Sequence, residues 1–113
     1  MYLGKSIEEL KAATGLPTAT PTDLAAVFNN LGLSYFENDM FSEAVNQYTQ
    51  AINKEDQGRK QELSFYYKNR GLAQYHLGVM DSALDNYLQA INYNPDNADN
   101  YFNRGNVYLY QAG

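Results

Sequence analysis

The chain has 113 residues, eight basic and thirteen acidic side chains, and a formal net charge of −5. That length fits one domain. The few Lys and Arg are scattered among the acids, which excludes a nucleic-acid backbone reader, and the absence of Cys excludes a disulfide framework and a thiolate metal site.

No Asn-x-Ser/Thr sequon occurs, no apolar run reaches membrane-span length, and the N-terminus lacks the apolar stretch of a signal peptide. An intracellular, cytoplasmic protein without membrane insertion is expected.

Residues 1–21 are expected to form a short helix and a linker. Ser6 and Glu9 have the spacing of a capping box, Ile7 and Leu10 share a face with Leu3 behind them, and Gly15 suits a stop. Three placements are open for this helix: over the end of the following helices, in a groove of the same chain, or as an arm that folds on a partner. Leu16 to Pro21 is a linker. Thr20 then caps a helix, with Pro21 at its first position and Asp23 at its third.

From Asp23 to about Asn38, Leu24, Val27, Phe28, Leu31, Tyr35 and Phe36 recur at threes and fours, the period of an amphipathic helix. Asn38-Asp39 breaks it. Ser42 is placed as the cap of the next helix, which carries Ala44, Val45, Tyr48, Ala51 and Ile52. A charged run follows from Lys54 to Glu62, and Met80 or Asp81 opens a later helix. Pro95 ends that helix, and the Asp96–Asp99 run reads as the cap of the last one, because it lacks the central Gly and closing Glu of a calcium loop.

One spacing recurs through the chain. Arg70-Gly71 and Arg104-Gly105 lie thirty-four positions apart. Gly71 is followed by Ala83, Tyr87, Ala90 and Pro95. Gly32 is followed, at the same first three offsets, by Ala44, Tyr48 and Ala51. A small–aromatic–small skeleton at a fixed period marks repeat architecture. In these residues the chain resembles the tetratricopeptide repeat (TPR) family.

The resemblance implies an all-α, right-handed superhelical solenoid of helical hairpins with about two and a half repeats. Residues 22–113 form the repeat domain: repeat one 25–58, an insertion 59–63, repeat two 64–97 and a partial repeat three 98–113. The insertion is expected to be a solvated loop with an extra helical turn. Packing falls to Phe28, Gly32, Tyr35, Ala44, Tyr48 and Ala51 in repeat one. In repeat two it falls to Tyr67, Gly71, Ala83, Tyr87, Ala90 and Pro95, and in repeat three to Tyr101, Gly105 and Tyr108. Helix three has no partner arm, so a fragment of a longer array, or an end covered by a partner, is expected.

The resemblance also implies a concave groove, lined by Asn29, Leu33 and Phe36, then Phe65, Lys68, Leu72, Tyr75 and His76, then Phe102, Asn106, Leu109 and Tyr110. This set is apolar and aromatic for a surface, which suits a protein or peptide partner. The family's carboxylate clamp, which grips an acidic C-terminus, is not expected. Its positions hold Asn29, Leu33, Asn69, Asp99 and Asn103, and only Asn69 fits.

Catalysis fails on inventory. His76 is the one His, it has no acid one helical turn away, and no Gly-rich phosphate loop occurs. No enzyme and no cofactor are expected. The function read from the sequence is a protein-interaction adaptor or scaffold binding an apolar helix or extended peptide in its groove. The alternative is a structural segment of a longer solenoid or of a cytoskeletal or ciliary assembly, contacting neighbours through its edges and open last helix.

Overall fold

Six helices follow one another: α1 (Tyr2–Thr14), α2 (Pro21–Glu37), α3 (Phe41–Lys54), α4 (Lys60–Leu77), α5 (Met80–Tyr93) and α6 (Ala98–Ala112). They are seen in a computed structural model that describes residues 2–16 and 19–113 and, of the side chains, those from residue 7 onward. No strand occurs among the described residues. Each helix packs mainly on its neighbours in sequence, giving a slab of 46 × 34 × 18 Å.

Two hairpins, α2–α3 and α4–α5, share one construction. A Cβ placed at Gly32 would lie 2.5 Å from the Tyr48 ring, and one at Gly71 2.7 Å from the Tyr87 ring. Only a bare backbone lets the ring sit there. Ala44 and Ala51 flank Tyr48, and Ala83 and Ala90 flank Tyr87. All six of these side chains are buried, so helix and ring interlock at interior density. Burial pushes the Tyr48 and Tyr87 phenols well above their ordinary range.

Both hairpins turn in the same way. Met40 N–H donates to the Tyr35 carbonyl and Val79 N–H to that of Gln74, each at 2.9 Å. The residue between is left-handed, Asp39 at φ 58° and Gly78 at φ 80°. This is a Schellman close, for which Gly is the natural occupant. The chain is helical again from Phe41, so Met40, not Ser42, precedes α3, and Met40 makes no side-chain cap. The backbone turn closes the end of α2, and α3 starts without a side-chain cap.

Two other expectations are corrected, the first and third of the following points, and the second decides among the placements left open for α1. First, α1 starts at Tyr2, so Ser6 lies inside it and is not its cap. No residue of breaking type stands between Tyr2 and Ser6 apart from Gly4, and one Gly is tolerated in a helix. Leu3's side chain, and Pro17 and Thr18 of the linker, lie outside the described residues. Second, α1 lies against α2 alone, with Ile7 and Leu10 on the cluster around Leu31 and Tyr35. It covers the first hairpin and leaves the space between α2 and α4 open.

Third, the 59–63 stretch is not solvated throughout. It opens α4, and Leu63 is fully buried against Ala25, Ala51, Ile52 and Tyr66. The added turn carries a core residue one turn ahead of Tyr66 and Tyr67. Beside it, Glu55 is buried and accepts from Arg59 Nε at 3.4 Å and Tyr66 Oη at 3.3 Å.

Polar side chains tie the hairpins together. Arg70 donates from Nε to Asn86 Oδ1 at 2.8 Å and from a terminal nitrogen to Thr49 Oγ1 at 3.1 Å, joining α3, α4 and α5. Two buried amides link every second helix. Asn69 Nδ2 donates to Asn29 Oδ1 at 3.0 Å, from α4 to α2, and Asn100 Nδ2 donates to Ser64 Oγ at 3.2 Å, from α6 to α4.

Candidate functional site

The first helices of the hairpins, α2 and α4, lie side by side with α6 along one face. Side-chain caps set where α2 and α6 begin, while α4 has none. Thr20 Oγ1 accepts from Asp23 N–H at 3.1 Å to start α2, and Asn97 Oδ1 accepts from Asp99 N–H at 2.9 Å to start α6. Two hollows open between these helices. One, of about 380 Å³, lies between α2 and α4 and is lined by Ala26, Asn29, Asn30, Gln61, Glu62, Phe65 and Tyr66. The other, of about 260 Å³, lies between α4 and α6 and is lined by Leu72, Tyr75, His76, Phe102, Asn103 and Asn106, with Tyr87 at its floor. Leu33 lines a third, more polar hollow between α1 and α2, beside Leu10, Glu9 and Glu37.

The residues read as groove-lining divide by their environment. Phe65 is exposed at the α2–α4 hollow, with Lys68 Nζ 4.4 Å from its ring centre. Partial burial lowers the Lys68 pKa, and Asp99 opposes that shift. Leu72 and Tyr75 rest on the cluster of Ala83, Tyr87 and Val107 and present their remaining surface to the α4–α6 hollow. Phe102 and Leu109 stand out most, at 68% and 73% exposed. Tyr110 is exposed and meets Tyr75 edge-on at 6.4 Å.

Other residues read as lining also pack or bond to neighbours within the chain. Asn29 is buried with its oxygen held by Asn69, so it forms the floor of the first hollow and is not a free contact. Phe36 and His76 belong to an aromatic cluster that joins the two hairpins. His76 stacks on Phe41 at 4.7 Å and 7°, and Phe36 meets both rings edge-on. A ring placed this way supports the groove wall by packing.

The packing residues of α6 also differ from expectation. Tyr101 and Tyr108 are exposed, and nothing lies within 4 Å of a Cβ built at Gly105. Asn30, Gln61, Glu62, Tyr66 and Phe41 were not among the residues singled out. The signal for the first four is their place: Gln61 and Glu62 lie one helical turn before Phe65, and Asn30 and Tyr66 directly follow Asn29 and Phe65. Phe41 had none beyond its aromatic type.

Among the described residues no helix is long and apolar enough to cross a membrane, and no cluster of His, Asp and Glu could hold a metal ion. The face is a surface for contact, built on paired helices that repeat along one axis.

Family models agree with that architecture. A "Tetratricopeptide repeat" model matches residues 25–53, and a "TPR repeat" model matches residues 71–111. The chain belongs to the tetratricopeptide repeat family. Among solved structures, a chain in the "Crystal structure of APC/C hetero-tetramer Cut9-Hcn1" superposes with a TM-score of 0.78 at 23% identity. The match covers 98% of this chain and 22% of that one. At this identity the likeness concerns the fold. No curated protein matches the chain in sequence. Repeats of this family serve as scaffolds for protein–protein contact, and this chain is of that class.

Proposed function

We propose that the face formed by α2, α4 and α6 holds an apolar helix or extended peptide of a protein partner, making the chain an adaptor or scaffold within an assembly. The observation that carries this reading is the set of apolar side chains beside the two hollows: exposed Phe65 at one, half-buried Leu72 and Tyr75 with exposed Phe102 at the other, and exposed Leu109 beyond. A contiguous apolar surface of this kind is a contact surface. The hollows take side chains of the incoming segment, in the manner of a helix or strand docked in a groove. The Lys68 ammonium group over the Phe65 ring suits the carbonyl end of a bound helix.

The test is affinity capture with the wild-type chain and with a Phe65→Glu/Phe102→Glu double variant. Cross-linking from Lys68 identifies the captured protein. Capture falls by about tenfold or more, the effect of losing one or two buried aromatic anchors, while helicity by circular dichroism is unchanged. Capture that persists in the folded double variant overturns the groove as the site.

A second reading has its own observation. The outer side of α6, with Tyr101, Gly105 and Tyr108 uncovered, suits contact through the edge, as in a segment of a longer solenoid or an assembly. Cross-links confined to Lys5, Lys11, Lys54 and Lys60, and absent from Lys68, would move the interface from the groove to the edges.

A further inference from the structure

Asn30 lines two hollows at once, the one between α2 and α4 and the one between α1 and α2. They are two halves of one trough that crosses α2, and their charge differs. The α1–α2 hollow, of about 580 Å³, is lined by Glu9, Leu10, Asn30, Leu33, Ser34 and Glu37. Among these described residues two are carboxylates and none is basic. In the α2–α4 hollow, Glu62 is already held by Arg59 at 3.3 Å. The α4–α6 hollow has no carboxylate among its described residues. Negative charge therefore gathers at the α1 end of the face.

The fold adds to that charge. Glu37 is the last residue of α2, and the final turn of that helix holds no basic side chain. The carbonyl end of a helix is the negative pole of its dipole, so a carboxylate there is opposed by its own helix and a cation is favoured. The walls suit a particular kind of cation. Leu10 and Leu33 pack on the cluster around Leu31 and Tyr35 and leave apolar surface in the hollow. Such surface covers the methylene stem of a long side chain whose charged head reaches further.

We infer that the segment held by the groove carries a basic side chain, Arg or Lys, that enters the α1–α2 hollow while an apolar side chain of the same segment fills the α2–α4 hollow beside Phe65. This rests on the groove reading and deepens it, because it gives the partner a charge and a register. The two hollows flank α2 on opposite sides and are offset by about one and a half turns along it, which sets their centres about 12 Å apart. That distance is about four residues of extended chain or about two turns of helix, and either spacing keeps both side chains on one face. The net charge of −5 opposes a second copy of this chain and favours a basic partner.

The probe is a random library of displayed peptides about sixteen residues long, enough for four helical turns, selected on the 113-residue chain. Dissociation constants of the winners are then measured by fluorescence anisotropy. The winners are expected to carry Arg or Lys at one of the two spacings from a large apolar residue. Their binding weakens at least about tenfold with Glu9→Gln/Glu37→Gln. It is unchanged with Glu8→Gln/Asp85→Asn, which removes the same charge from exposed positions outside the trough. Replacing the peptide's basic residue by Gln gives the same loss on the wild type and no further loss on Glu9→Gln/Glu37→Gln. That change leaves the protein untouched, so it reports even if the double variant is disturbed.

Winners that lose binding with Phe65→Glu but not with Glu9→Gln/Glu37→Gln overturn the basic anchor and leave the groove reading standing. Acidic winners, or equal weakening by Glu8→Gln/Asp85→Asn, also overturn the anchor. No winners, or winners indifferent to Phe65→Glu and to Glu9→Gln/Glu37→Gln alike, overturn both readings. A dimer in sedimentation that Glu9→Gln/Glu37→Gln dissolves makes the occupant a second copy, which overturns the choice of partner.

Discussion

The two closed hairpins and the single helix α6 carry the same residues at corresponding places, with opposite consequences. In the hairpins, glycine lets a tyrosine ring fill the space between helices, and that ring becomes one of the most buried groups in the molecule. In α6 the glycine faces open space and its flanking tyrosines are exposed. A repeat motif therefore states which surface a helix offers. Whether that surface is core or contact depends on what lies against it.

The largest effect separates the two settings of glycine. Gly71→Ala forces a methyl against the buried Tyr87 ring, and overpacking of this kind costs about 1–3 kcal/mol. Gly105→Ala meets nothing and gains the helix preference of Ala, about 1 kcal/mol. Thermal denaturation should place the melting temperature of Gly71→Ala below wild type and that of Gly105→Ala above it. Equal shifts would erase the contrast.

Alkaline pH acts on the closed hairpins next. In the unfolded chain phenols ionise near 10.0, whereas burial holds Tyr48 and Tyr87 well above that and, helped by Glu55, Tyr66 up to about 12. A raised folded pKa for an acid means that stability is intact below pH 10.0 and lost as pH rises towards the folded values, because only the unfolded state releases the proton. The melting temperature is expected to fall by several degrees between about pH 9 and about pH 11. A flat profile across that range would show that these rings are not sealed.

The smallest effect compares the hairpins with each other. Asp39 and Gly78 take the same left-handed turn, but only glycine does so freely. Gly78→Ala is expected to cost about 1 kcal/mol, and Asp39→Gly to gain at most about 1 kcal/mol after the added freedom of the unfolded chain is counted. Chemical denaturation resolves both. A loss on Asp39→Gly would mean that the aspartate side chain itself holds the turn.

The hairpins were legible in the sequence because their logic is local. Gly71 and Tyr87 meet across one tight turn, so their spacing is nearly dictated by helix geometry. Links that skip a helix were not legible. Asn69 reaches Asn29 forty residues back, and Asn100 reaches Ser64 thirty-six back. Nothing in an isolated Asn says whether it faces a partner or another Asn. Leu63 was misread as solvated because the charged run around it dominated. Its spacing to Tyr66 and Tyr67, three and four residues on, is the helical signal that places it in the core. In the candidate groove, residue type marked Phe65, Leu72 and Phe102 as apolar surface, but the stacking of Phe41 on His76 depends on how two hairpins lean together.

The two amide links carry a mechanical consequence. Contacts otherwise run almost wholly between successive helices, so a pull on α6 loads α5 before α4. Asn100–Ser64 and Asn69–Asn29 each span one helix, as do the ring contacts Phe36–His76 and Tyr75–Tyr110. These links act as cross-ties that set the spacing of the first helices independently of the helices between them.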